Sequence, residues 1–177
     1  MTEPRSAQLA GPRVQVTVAV LSAAGLVAVA TWLVFSGHEV LAGACAGGAA
    51  VLLVATAIVA RRRADGLLLF MDSVADIAYS GCLLSAIALA TREDDAPAAG
   101  AAVGAMVMTF LGSYVRARGQ ALGYPVEESL ATRVARYGLV SGGLLLGLKD
   151  AAMFALLALT VLITGVRTSQ VVKKERE

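Results

Sequence analysis

The feature that most constrains this chain is a series of apolar runs near the length a helix needs to cross a bilayer, about 20 residues. They cover Val14 to Ser36, Val40 to Ala60, Gly66 to Ala90, Ala98 to Val115, Tyr137 to Leu148 and Ala151 to Val166. The first carries no charge and places Trp32 near its far end, where an interfacial aromatic belongs. The second stops at Arg61-Arg62-Arg63, and the patch Thr91-Arg92-Glu93-Asp94-Asp95-Ala96-Pro97 separates the third from the fourth. A basic stretch from Arg116 to Arg136 follows, and only Lys149-Asp150 divides the last two runs. The fifth run is short unless its helix begins near Leu130 and carries its arginines at the interface. These runs predict an all-α integral membrane fold of six transmembrane helices: a tail over 1–13, a membrane domain over 14–168 and a second tail over 169–177. A cleaved signal peptide competes for the first run, with Val27-Ala28-Val29-Ala30 as a faint cleavage site, but the run is long for a signal core.

Charge tests the span count. Six spans put both termini on one side, together with the loops around Arg61 to Arg63 and Arg116 to Arg136. That side collects every basic residue except Arg92 and Lys149, which is 13 of 15. The positive-inside rule then predicts cytoplasmic termini, a cell-membrane location and a pocket facing the cytoplasm. A miscounted span would scramble this alternation. With 58% hydrophobic and 16% charged residues the chain is far from soluble-domain composition, and one His with two Cys makes a His/Cys metal cluster untenable. The basic tail Lys173-Lys174-Glu175-Arg176-Glu177 reads as a solvated end, and no nucleic-acid partner is expected. The pairs Gly43/Gly47, Gly100/Gly104, Gly138/Gly142 and Gly143/Gly147 have the small-residue spacing of close helix contacts. Tight packing within the chain is the plainer reading of them, a dimer seam the other.

Ionisable groups inside a span are costly and usually mark a cavity or a partner. Asp72 and Asp76 stand four apart in the third run and therefore share a helix face. They lie roughly 9 and 15 Å along the helix from Gly66. Such a pair can bind a hard cation through oxygen, relay a proton, or pair with arginines of neighbouring helices and hold the bundle together. Arg116 and Arg118 end the fourth run, and Arg133 and Arg136 stand three apart at the start of the fifth. Guanidinium forks suit phosphate oxygens, and the plainer reading is interfacial anchoring to lipid headgroups.

Together these pieces resemble the CDP-alcohol phosphatidyltransferase family. The signature of that family is D-x-x-D-G-x-x-A-R, eight residues, then G-x-x-x-D-x-x-x-D. Met71-Asp72-Ser73-Val74-Ala75-Asp76 is similar to the end of that motif, and Ser113-Tyr114-Val115-Arg116-Ala117-Arg118-Gly119-Gln120-Ala121-Leu122-Gly123 to the S-Y-V-K-A-R-A-E-A-L-G common after the fourth span. Arg133-Val134-Ala135-Arg136 resembles a later E-R-x-E-R segment. The resemblance runs from about Gly37 to the end, with the more specific match in the second half. It implies a six-helix bundle whose aspartates hold two divalent metals on a CDP pyrophosphate. Asp72 would then be a metal ligand, and Asp76 a metal ligand and the catalytic base. Arg61, with Thr56 offering a hydroxyl, would face the nucleotide phosphates. Arg116, Arg118, Arg133 and Arg136 would surround the acceptor or its phosphate.

The first half departs from this pattern. Aligning Ala60-Arg61 on A-R puts Leu53 and Thr56 where the first two aspartates belong, Ala57 at the first glycine and Leu68 at the second. The gap from Arg61 to Asp72 is two residues shorter than the pattern. Gln120 stands for a usual Glu, and Thr132 and Ala135 for the acids of E-R-x-E-R. Two divalent ions carry four positive charges, and the aligned motif supplies two carboxylates. A leucine offers no oxygen ligand at all. The leading expectation is therefore a degenerate member that keeps the fold and the basic pocket and serves as partner or regulator of an active phosphatidyltransferase in phospholipid biosynthesis. It would form a homodimer, or a heterodimer with an active paralogue, in contact with membrane lipids or a CDP-diacylglycerol-like lipid. The alternative is an active Mg²⁺- or Mn²⁺-dependent enzyme moving a phosphatidyl group from CDP-diacylglycerol to an alcohol with release of CMP. A third reading, a proton-coupled carrier using Asp72 and Asp76, lacks the repeated halves that transport folds show.

Overall fold

The computed structural model describes residues 5–124 and 129–174, and they form six α-helices with no strand among them. In chain order these are α1 (Arg5–Phe35), α2 (Glu39–Arg63), α3 (Gly66–Thr91), α4 (Ala96–Ala121), α5 (Leu130–Leu145) and α6 (Lys149–Lys174). All but α5 are long and apolar enough to cross a membrane, as in a multi-pass helical membrane protein. The short α5 begins at Leu130, as its apolar run requires, and rises only about 24 Å at 1.5 Å per residue.

Local chemistry sets the helix ends. Asp65, Asp95 and Ser129 are the N-caps of α3, α4 and α5, and their side chains accept from the backbone N–H of Leu67, Ala98 and Ala131. Gly37, Gly123 and Gly147 turn the chain with positive φ after α1, α4 and α5, where a Cβ would be strained. Three boundaries differ from the sequence reading. The first helix starts at Arg5, inside the segment read as a tail, α4 continues through Arg116 and Arg118 to Ala121, and α6 runs to Lys174, inside the segment read as the second tail. Arginine stems are good helix formers and reach water from within a helix, so charge alone does not end one.

The helices close a ring in which α1 adjoins α2, α2 adjoins α5, α5 adjoins α6, α6 adjoins α4, α4 adjoins α3 and α3 adjoins α1. Helix α2 also touches α3 across the ring. One core of alanines with Leu53, Leu83, Leu84, Ile87, Leu144 and Leu156 runs through it. Glycines allow the closest approaches. A Cβ at Gly43 would lie 2.7 Å from the Leu145 nitrogen and 2.9 Å from the Ser141 carbonyl oxygen, which locks α2 against α5. At Gly143 it would collide with Ala152 of α6, whereas Gly100, Gly138 and Gly142 face open space. Half of the glycine spacing thus serves packing within the chain. Across the ring, no Cα of α3 comes within 8 Å of one in α5 among the described residues. The candidate site fills that gap.

Candidate functional site

Asp72 and Asp76 point from one face of α3 toward α5, which presents Arg133, Arg136 and Tyr137 at spacings of three and four. Both helices leave the end that carries the α2–α3 and α4–α5 connections, so they run in the same sense and matched spacings pair like rungs. Arg133 Nη1 donates to both oxygens of Asp72, at 2.7 and 2.8 Å. Arg136 Nη2 donates to both oxygens of Asp76, at 3.3 and 3.1 Å, and Tyr137 Oη donates to Asp76 Oδ1 at 2.6 Å. Arg133 Nε lies 4.0 Å from Asp76 Oδ1, which joins the two rungs. One helical turn further on, the Tyr79 and Tyr137 rings meet at 4.4 Å, and Tyr79 Oη donates to the Ala46 carbonyl of α2.

The cluster is dry. Arg133 and Asp76 are each 1% exposed, Asp72 4% and Arg136 7%. Isolated charges at such depth are prohibitive, and their mutual neutralisation by short, charge-assisted hydrogen bonds is what permits them. Arg133 sits in the first turn of α5, where the helix dipole disfavours a cation, and the Asp72 carboxylate offsets that too. Of the roles open to this acid pair, pairing with arginines of a neighbouring helix is the one this geometry displays.

The remaining predicted residues fall in three places. Arg61 and Arg116 line a cleft of about 790 Å³ at the basic end of the bundle, with Ser73, Ser113 and Gln120. Asp72 and Arg133 form part of its wall, so the ion pair sits at its boundary. Arg136 faces away from this cleft into a narrow crevice between α4 and α6, beside Thr109, Thr164 and Arg167. Arg118 is exposed in the last turn of α4 and takes no part in either lining. Thr56 is buried in α2 and donates its hydroxyl to the Leu53 carbonyl of its own helix at 2.9 Å. The structure thus brings Asp72, Asp76, Arg133 and Arg136 together, adds Arg61 and Arg116 at the rim, and leaves Thr56 and Arg118 apart.

A two-metal centre does not fit these donors. Each carboxylate has both oxygens engaged by a guanidinium. Position 53 is a leucine, and the described residues contain no group of three or more His, Cys, Asp or Glu placed to hold a metal ion. Mg²⁺ demands near-octahedral oxygen coordination, and with the two carboxylates neutralised by Arg133 and Arg136 no net negative charge is left to attract one.

Sequence reasoning missed three participants. Tyr137 completes the Asp76 hydrogen bonds, and its place next to Arg136 at four residues from Arg133 was the available signal. Arg167, which entered the sequence reading only as one of the basic residues of the charged side, is 8% exposed and donates from Nη1 to the Gly112 carbonyl at 3.1 Å, where glycine leaves room for it. Asp65 caps α3 and accepts from Arg13 Nε at 2.9 Å, tying the base of α1 to the α2–α3 connection. The Arg13 guanidinium holds the Asp65 carboxyl below the usual carboxylate range. Comparison of the chain with known family models, curated proteins and solved structures finds no match.

Proposed function

We propose that this chain is a catalytically degenerate member of the CDP-alcohol phosphatidyltransferase family. In this reading it lies in the cell membrane with six helices, cytoplasmic termini and the arginine-lined cleft facing the cytoplasm. It acts as partner or regulator of an active phosphatidyltransferase of phospholipid biosynthesis, as a homodimer or beside an active paralogue. The observation that carries the reading is the Asp72–Arg133 and Asp76–Arg136 pairing. The residues that the resemblance assigns to metals and to the base spend their charge on protein cations instead. A general base needs an available lone pair aimed at the substrate proton, and Asp76 is enclosed by Arg136 and Tyr137. The arginines at the cleft keep the chemistry of a phosphate-binding surface without supplying a metal clamp.

The test is CMP release by the purified protein in lipid vesicles supplied with CDP-diacylglycerol, Mg²⁺ or Mn²⁺ and a panel of alcohols. The expected result is no release above protein-free vesicles. The same assay on parent-cell membranes with and without the chain should show a change in endogenous phosphatidyltransferase activity. Acceptor-dependent and metal-dependent release by the pure protein, lost in Asp72→Asn/Asp76→Asn, would replace this reading with the active enzyme.

A further inference from the structure

At the end of the bundle opposite Arg61 to Arg63, an ion pair joins two helices that do not otherwise touch. Helix α5 separates α2 from α6 in the ring, and no Cα of α2 comes within 8 Å of one in α6 among the described residues. Their first residues meet all the same, because Lys149 Nζ donates to Glu39 Oε1. Gly43 lies against Leu145, the last residue of α5, so Glu39, one turn earlier, reaches past the end of that helix. The bond therefore crosses over the turn at 146–148 that links α5 to α6.

The surroundings of this bond pull in opposite directions. Glu39 suits the first turn of α2, where the helix dipole favours an anion. Lys149 stands in the first turn of α6, where the same effect disfavours a cation. Beside it, Asp150 Oδ1 is buried with no hydrogen-bond partner among the described residues, an oxygen that opening would return to water. Both partners are partly exposed, and bridges of this kind are weak. Further in, the close contacts of Gly43 with Leu145 and of Gly143 with Ala152 fix α5 against both neighbours. The unit able to open is thus the turn with the first turn of α6. The charged groups facing the bond are few. Asp94 of the α3–α4 connection and Asp150 lie within electrostatic reach of Lys149, and His38 precedes Glu39. Helix α1 has no charged residue after Arg13 and α5 none after Arg136, while Asp95 is engaged as the α4 cap.

We propose that the Glu39–Lys149 bond is an acid-sensitive clasp that pins the α5–α6 turn and the first turn of α6 while Glu39 is ionised and releases them when it is protonated. The sign follows from linkage. The closed form favours the ionised carboxylate, so proton uptake favours the open form. In the topology proposed above this end faces the outside, but the clasp itself depends on neither orientation nor catalysis.

The test is amide hydrogen exchange of the full chain in phosphatidylcholine nanodiscs, which leave both faces accessible, with rates corrected for the intrinsic effect of pH. The reporters are the Leu148 amide, which donates to the Gly143 carbonyl, and the Ala152 amide, which donates to the Leu148 carbonyl. At pH 7, Glu39→Gln and Lys149→Met should each speed exchange there by roughly two- to fivefold, and the double variant no further. Acidification of wild type to about pH 4.5, toward the ordinary carboxylate range, should speed it in the same direction, and Glu39→Gln should lose most of that response. The Leu69 amide at the opposite end, which donates to the Asp65 carbonyl, should be unchanged by either substitution and shows that the variants are folded. Unchanged exchange in both single variants, additive effects in the double variant, or an acid response that persists in full in Glu39→Gln would overturn the clasp.

Discussion

Replacing Arg133 by methionine tests the buried ion pair most sharply. The wild-type guanidinium is 1% exposed and makes bonds of 2.7 and 2.8 Å to a carboxylate that is itself 4% exposed. Arg133→Met deprives Asp72 of that partner at full burial, and breaking a buried pair in this way costs about 3–5 kcal/mol. Asp72→Leu alone strands Arg133, with a smaller loss expected because Asp76 Oδ1 lies 4.0 Å from its Nε. The double variant Asp72→Leu/Arg133→Met removes both charges and fills the space with apolar atoms. Such exchanges are often neutral or stabilising by about 1–4 kcal/mol. The double variant should therefore be more stable than Arg133→Met by at least about 2 kcal/mol. The assay is reversible unfolding in mixed micelles by titration with sodium dodecyl sulfate, followed by far-ultraviolet circular dichroism. If the two single losses simply add in the double variant, Asp72 and Arg133 are not coupled and the account of the site fails.

Three further outcomes follow from particular contacts. Tyr137→Phe removes a charge-assisted hydrogen bond to Asp76 and should cost about 1.5–3 kcal/mol in the same unfolding assay, whereas Tyr79→Phe, which loses a longer bond to a carbonyl, should cost about 0.5–1.5 kcal/mol. Gly43→Ala forces a Cβ against the Leu145 backbone and should destabilise by about 1–3 kcal/mol, while Gly138→Ala meets nothing within 4 Å and should leave stability unchanged or slightly raised through its helix propensity. The Asp65 carboxyl is held below its ordinary value of 3.8 by Arg13, so its contribution is complete above that pH and is lost as pH falls below it. Unfolding midpoints of wild type and Asp65→Asn should accordingly differ at pH 7 and converge in strong acid, and a constant difference across that range would contradict the assignment.

Much of the fold was legible because membrane spans announce themselves. Run lengths, the Arg61 to Arg63 stop and the Lys149-Asp150 divide located all six helices, and the need for α5 to begin near Leu130 was visible in its shortness. The pairing of Asp72 and Asp76 on one face followed from their spacing. Which cations meet them did not, because Arg133 and Arg136 lie some sixty residues away and only the ring order brings α5 opposite α3. Thr56 illustrates the same limit: a hydroxyl is equally legible as a ligand or as a donor to its own helix, and the structure shows it donating to Leu53. Arg118 and Arg116 are two apart and so point to different sides of α4, which spacing could have separated. The sequence difference between a glycine that packs and one that does not is nil, and only the neighbours of Gly43 and Gly138 distinguish them.

The central claim is that arginines hold the two acids where the family resemblance would put metals. Mn²⁺ titration of the detergent-purified wild type, read by electron paramagnetic resonance, tests it directly. The account predicts no tightly bound Mn²⁺ and no spin-coupled pair, with a site appearing only when Arg133→Met/Arg136→Met frees Asp72 and Asp76. A coupled two-manganese signal in the wild type, abolished by Asp72→Asn/Asp76→Asn, would contradict it.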